Sequence, residues 1–167
     1  MLASRAAFLI MSKHKDNKVA AEVRNPKASR DYELLKRFEA GLVLTGTEVK
    51  ALREGRANIA DSFVRIDFDN RPTLYHAHIS EYGFGNASNH NPYRPRHLLL
   101  HAKEVRELKQ AVQAGGMSIV PLNIHFAHGL AKITIALGKG KKLYDKRADI
   151  KKREAKREID RAMRRRY

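Results

Sequence analysis

Cysteine is absent from all 167 residues. This excludes disulfides and thiolate zinc sites, and it sits with a reducing cytoplasm as the expected compartment. Tryptophan is absent too. No apolar run approaches the roughly 20 residues that span a bilayer, so no membrane partner is expected. The sequence also lacks a glycine-rich phosphate loop opening a helix, a nucleophile elbow, and an acidic cluster spaced for two metals. No enzymatic activity and no cofactor are therefore expected. His76 and His78 fall on one face of an expected strand. With no cysteine and no second pair at ligand spacing, they read as surface histidines and no metal site is expected.

Acids are scarce as well: 18 Asp and Glu against 34 Lys and Arg, a formal charge of +16. The excess is loaded on the ends of the chain. Residues 1–30 carry seven bases and two acids, residues 31–138 carry 13 and 11, and residues 139–167 carry 14 and five. A nearly neutral middle with basic extensions is the footprint of a protein that meets a polyanion. Hydrophobic residues make up 43%, enough for a core, and the length suits one domain with appendages. The expected organisation is a flexible extension over 1–21 (with Met11 as an alternative start), a core over 22–137, and a basic tail over 138–167.

Along the core, Tyr32–Phe38 and Gly41–Leu44 read as two strands, and Thr45 with Glu48 forms a capping-box pattern for a short helix stopped by Gly55. Phe63–Phe68 places Val64, Ile66 and Phe68 on one face, and Asp69–Pro72 turns the chain into a strand over Thr73–Ile79. Residues 80–96 form a long loop with interleaved aromatics and arginines, a length that marks functional or mobile loops. Val105, Leu108 and Val112 recur at helical spacing up to Gly115-Gly116. A strand beyond Pro121, an Ala-His-Gly turn at 127–129, and a last strand with Ile133, Ile135 and Leu137 inward complete the core. The count is about six short strands with flanking helices: mainly β, a small antiparallel barrel of the oligonucleotide-binding (OB) type.

Beyond Leu137 the pattern breaks at Gly138-Lys-Gly-Lys-Lys142. Asp149–Arg153 and Asp160–Arg164 are spaced i,i+4, and Glu154–Arg157 and Glu158–Arg161 i,i+3, which favours a helix over about 147–165. Only Ile150, Ile159 and Met163 supply long apolar groups. The tail is therefore expected to be disordered when free and helical against an anionic groove. Lone Glu39 is either a surface strand acid or an acceptor for the Watson–Crick edge of an unpaired guanine. Lys142-Leu-Tyr-Asp-Lys-Arg147 sets an aromatic among bases, as a stacking-plus-phosphate contact requires.

Asn25…Arg30-Asp-Tyr32, Phe38-Glu-Ala-Gly41, Gly46-Thr-Glu-Val-Lys50, Gly55-Arg-Ala-Asn58, Asp61-Ser62, Leu98-Leu-Leu100, Gly138-Lys-Gly-Lys-Lys142 and Asp145-Lys-Arg147 together resemble the SsrA-binding protein (small protein B) family, from about residue 22 to 160. Pro26 departs from the pattern, standing where the family usually has a second base. The resemblance implies an OB-type barrel that binds the tRNA-like domain of transfer-messenger RNA. It also implies entry into the empty A site of a stalled ribosome for trans-translation, ribosome rescue and tagging of the unfinished protein. Small-subunit ribosomal RNA and the elongation factor Tu complex are the further partners so implied.

Positions matching the family's RNA-contacting motifs are Asn25, Glu39, Leu98, Leu99 and Leu100, with the nearby bases Lys27, Arg30, Lys50, Arg53 and Arg96. Gly138–Lys142 reads either as a flexible linker or as a hinge whose Lys139, Lys141 and Lys142 hold phosphates. Tyr144, Asp145, Lys146, Arg147, Ile150, Lys151 and Arg153 match the segment that enters the decoding centre. A ribosomal protein or translation factor with an OB core would share the composition. A nuclease or RNA-modifying enzyme would need the acid cluster that is missing.

Overall fold

The computed structural model describes residues 22–85 and 89–164, except for the side chains of residues 143–146, 148, 149, 152, 153 and 164. Two long strands, β8 (Met117–Ala127) and β9 (Leu130–Gly140), form one hairpin paired from Met117–Lys139 to Ala127–Leu130. His128 and Gly129 turn it at φ 51° and 79°. Two left-handed residues suit a two-residue hairpin because their twist matches that of the strands.

Six strands close a ring around the core. β8 pairs with β4 (Phe63–Ile66), β4 with β5 (Pro72–Tyr75), and β5 with β7 (Arg96–Leu99). β7 then pairs with β2 (Tyr32–Leu42), β2 with β9, and β9 with β8, every pairing antiparallel. β1 (Val23–Arg24) adds to β8, while β3 (Ala57–Asn58) and β6 (His78–Ile79) make a separate ribbon. Phe38, Ala40, Leu42, Val64, Leu74, Leu98, Ile119, Ile133, Ile135 and Leu137 fill the ring. Four helices flank it: α1 (Ala28–Asp31), α2 (Gly46–Arg53), α3 (Ala102–Gln113) and α4 (Leu143–Arg164). The expected mainly β barrel with flanking helices is what forms, but its six strands are not the six expected: residues 32–42 make one strand, and β7 was not expected.

Several boundaries differ from the sequence reading. Residues 32–42 are one continuous strand, because Gly41 pairs with Leu99 on one side and Lys132 on the other instead of turning the chain. Phe68 leaves the barrel face and is 96% exposed: β4 ends at Ile66, and Asn70 at φ 56° makes the turn. His76, at φ 57°, breaks the expected strand over 73–79, so His76 and His78 do not share a strand face. β8 begins before Pro121 and accommodates it with a register shift between Pro121 and Asn123. β9 runs through Gly138 to Gly140, paired with Leu34 and Tyr32, so the hinge glycines belong to the sheet. A Cβ on Gly138 would come within 3.0 Å of the Tyr32 Cβ, which explains the glycine.

α2 seals the barrel with Ala51 and Leu52, both fully buried, and Gly55 ends it at φ 74°. The expected cap pairing forms: the Thr45 N–H donates to Glu48 Oε2 at 2.7 Å. Glu48 does more than cap. It is fully buried and accepts from Arg94 Nε and Nη2 at 2.8 and 2.5 Å, and from Arg96 Nε at 2.9 Å. Arg96, equally buried, also donates to the carbonyls of Ala77 (2.6 Å), Arg94 (3.0 Å) and Pro92 (2.8 Å). Burial alone would raise the Glu48 carboxyl, but the Arg94, Thr45 and Arg96 hydrogen bonds together hold it below its usual range. Its contribution is therefore complete at neutral pH and is lost as acid titrates it down through that lowered value.

Removing one partner of a buried ion pair leaves the other charge stranded. Glu48→Ala is expected to lower stability by about 3–5 kcal/mol in denaturant unfolding. Glu107→Ala breaks only the exposed Lys36–Glu107 pair and is expected to change stability by less than about 1 kcal/mol. Equal effects would remove Glu48 from its structural role.

Candidate nucleic-acid interface

The barrel wall presents an outward row that crosses four strands. Leu99 on β7 pairs with Gly41 on β2, Gly41 with Lys132 on β9, and Lys132 with His125 on β8. Glu39 lies two residues from Gly41 and so projects from the same face. Leu99 is 64% exposed and lies over Gly41, where a Cβ would come within 3.3 Å of its own Cβ. The glycine leaves a flat gap between an exposed leucine and a lysine. Beside it, Glu39 Oε2 accepts from Lys132 Nζ at 2.9 Å, and Glu39 Oε1 meets His125 Nε2 at 3.0 Å. The Lys132 hydrogen bond, then that of His125, holds the Glu39 carboxyl below its usual range. Next to Leu99, a cleft of about 670 Å³ is lined by Leu100, Pro72 and the bases Arg71, Arg106 and Lys109.

Such a face offers an exposed apolar contact, a fixed carboxylate acceptor and cations around it. That combination can read an unpaired base and hold its phosphates. It is built by strand alternation: Arg96 and Leu98 point into the barrel while His97 and Leu99 point out.

The other expected contacts divide accordingly. Leu98 is buried and Leu100 packs half-buried against the core, so of the three leucines only Leu99 is free to meet a ligand. Arg96 is a correction: its guanidinium is buried and committed to Glu48 and three carbonyls, and it does not reach the surface. Asn25 is also buried. Its amide donates to the Pro121 carbonyl at 2.9 Å and its Oδ1 accepts from Lys27 and Ala28 N–H, so it joins β1 to β8 and opens α1. Arg53 lies 5.5 Å from the Phe126 ring, at the Lys132 end of the barrel, and Lys50 lies 5.1 Å from the Tyr82 ring.

The remaining bases gather at the opposite end of β2. Lys27 pairs with Asp61 at 2.5 Å and Arg30 with Asp31 at 3.1 Å. Lys139 and Lys142 are exposed, and Lys141 donates to the Ser29 carbonyl at 3.2 Å while its N–H donates to Asp31 at 3.0 Å. At about 3.3 Å per residue, the nine steps along β2 from Tyr32 to Gly41 separate the two basic regions by roughly 30 Å. α4 starts from this second region. Arg147, Ile150 and Lys151 are exposed on it; the side chains of Tyr144, Asp145, Lys146 and Arg153 lie outside the described residues. Lys132 and His125 were missed in the sequence because only barrel closure brings them beside Glu39.

Among the described residues, no cluster of His, Cys, Asp or Glu could hold a metal, and no helix is long and apolar enough to cross a membrane. A family model described as SmpB protein matches residues 22–165. The SsrA-binding protein of Shouchella clausii is 49% identical over 93% of this chain and 98% of its own length. The SsrA-binding protein of Geobacter sulfurreducens is 50% identical over 84% of this chain and 91% of its own. Among solved structures, a chain described under "tmRNA-SmpB: a journey to the center of the bacterial ribosome" is similar at a TM-score of 0.62 and 41% identity, covering 73% of this chain and 85% of that one.

The geometry around Glu39 is open to a direct test. By carbon-detected NMR, its carboxyl is expected to titrate below ordinary glutamates, and Lys132→Ala should move it back up toward them. An unchanged titration in that variant would mean Lys132 is not its partner in solution.

Proposed function

The chain belongs to the SmpB family, and from that membership we propose that it binds the tRNA-like domain of transfer-messenger RNA and accompanies it, with elongation factor Tu, into the empty A site of stalled ribosomes. There it supports trans-translation, in which the ribosome is rescued and the unfinished protein tagged. It acts as a non-catalytic RNA-binding partner, and the cytoplasm is where its RNA and ribosome partners meet it. The observation that carries the reading is the outward row of Leu99, Gly41, Lys132 and His125 with Glu39 beside it, formed from the segments that match the family.

In this reading Glu39 accepts from the Watson–Crick edge of an unpaired base, Leu99 packs on that base or its sugar, and Lys132 and Arg53 hold phosphates. The second basic region, roughly 30 Å away, launches the tail toward the ribosome. Tyr144 would stack on a decoding-centre base, with Lys146, Arg147, Lys151 and Arg153 on phosphates and Asp145 orienting them. Free of the ribosome, α4 would melt: Ile150, Ile159 and Met163 are exposed on it, and most of a helix's stability in a protein comes from burying its apolar face.

The test begins with RNA recovered from cells on the tagged full-length protein, where transfer-messenger RNA is expected to dominate. Its affinity for the tRNA-like domain should fall steeply with salt as counterions return to phosphates. Glu39→Ala is expected to weaken that binding by about 1–3 kcal/mol even though it frees the Lys132 cation. Tighter binding by the variant would leave only nonspecific charge attraction.

A truncation after Lys142 preserves β9 and the Lys141–Asp31 hydrogen bond. It should keep affinity for the tRNA-like domain and lose peptide tagging on stalled ribosomes. Within the tail, Tyr144→Ala should slow tagging while Tyr144→His retains most of it. Like behaviour of the two Tyr144 variants would mean that stacking is not what the residue does.

A further inference from the structure

The loop joining β6 to β7 is held from within. The Asn89 side chain clamps Tyr82, accepting its N–H at 3.2 Å and donating to its carbonyl at 2.9 Å. Gly85 passes so close that a Cβ there would lie 2.8 Å from the Asn89 amide. His90 is buried and bridges the Thr47 hydroxyl of α2 at 2.9 Å and the Ile79 carbonyl at 3.0 Å. The Tyr93 N–H is taken by Asn91 Oδ1 at 2.9 Å.

These two segments of the loop nonetheless turn their largest rings outward. Phe84 is 84% exposed and touches Tyr82 only edge-on, at 5.7 Å between centroids. Tyr93 is 63% exposed, tilted against His78 at 4.9 Å. Cations border Tyr82, the ring that Phe84 meets: Lys50 and Arg56 lie 5.1 and 5.9 Å from it. The nearby acids are Glu54, which pairs with Arg56 at 2.5 Å, and exposed Glu81. Exposed rings on segments held by such hydrogen bonds add little to folding and mark a contact surface. Exposed rings with two cations on the neighbouring Tyr82, on a chain of net charge +16, suit a nucleobase with its phosphates better than an apolar partner.

We propose that this aromatic and cationic surface is a second RNA contact, where an unpaired nucleobase stacks on Phe84 or Tyr93 and its phosphates lie on Lys50 and Arg56. It rests on the RNA-binding reading above but uses no residue of the outward row. The nucleobase can come from the tRNA-like domain or from ribosomal RNA, and these give the two arms of the test. Full-length protein is irradiated with each RNA, and the peptide spanning residues 82–94 is examined by mass spectrometry.

A nucleotide adduct on Phe84 or Tyr93 is expected in one arm. In that arm the Phe84→Ala, Tyr93→Ala variant should bind roughly five- to 150-fold more weakly, while Phe84→Trp keeps its affinity. Full affinity of the double variant in both arms, with no adduct on the wild-type loop, would overturn the proposal. Wild-type protein that binds neither RNA would overturn the RNA-binding reading and this contact with it.

Discussion

Glu48 is a fully buried carboxylate that holds two arginines and the N-terminus of α2 at once. Arg96 then fixes the carbonyl of Ala77, just before β6, and those of Pro92 and Arg94 on the approach to β7. One acid thus ties the barrel's sealing helix to the strand that carries Leu99. The arrangement is stable only because the charges are matched and hydrogen-bonded; each alone would be strongly unfavourable in the interior. It also sets register. With Arg96 committed inward, strand alternation turns Leu98 in and Leu99 out, and a one-residue slip would reverse both.

From that register follows the placement of the interface. Gly41 is central to it because it lacks a side chain: Leu99 can lie across it from one neighbouring strand while Lys132 approaches from the other. Barrel closure brings His125 and Lys132 to Glu39, whose charge is then both balanced and oriented. The tail root sits at the far end of the same strand, where Gly140 pairs with Tyr32. β2 therefore spaces the outward row from the root of the basic helix α4.

Much of this was legible in the sequence. The capping pair Thr45 and Glu48, the stop at Gly55, the inward Ile133, Ile135 and Leu137, and the turn at His128-Gly129 all follow from local chemistry, and all are present. The errors share a cause. Gly41 and Pro121 read as breaks, yet pairing on both sides carries the strands through them. Arg96 read as a surface base because arginine usually is one. Only its period-two alignment with Leu98 and the distant Glu48 mark it as internal. Lys132 and His125 could not be joined to Glu39 from spacing alone, since each lies more than 80 positions along the chain and meets it only once the ring closes.

Backbone amide shifts of the full-length protein, recorded as the isolated tRNA-like domain of transfer-messenger RNA is added, test the central claim most directly. The account predicts that Gly41, Leu99, Lys132, His125 and Glu39 move together along one saturation curve, with the α4 amides moving little. Saturable shifts confined to α4 and the hinge lysines, with the outward row unmoved, would contradict it.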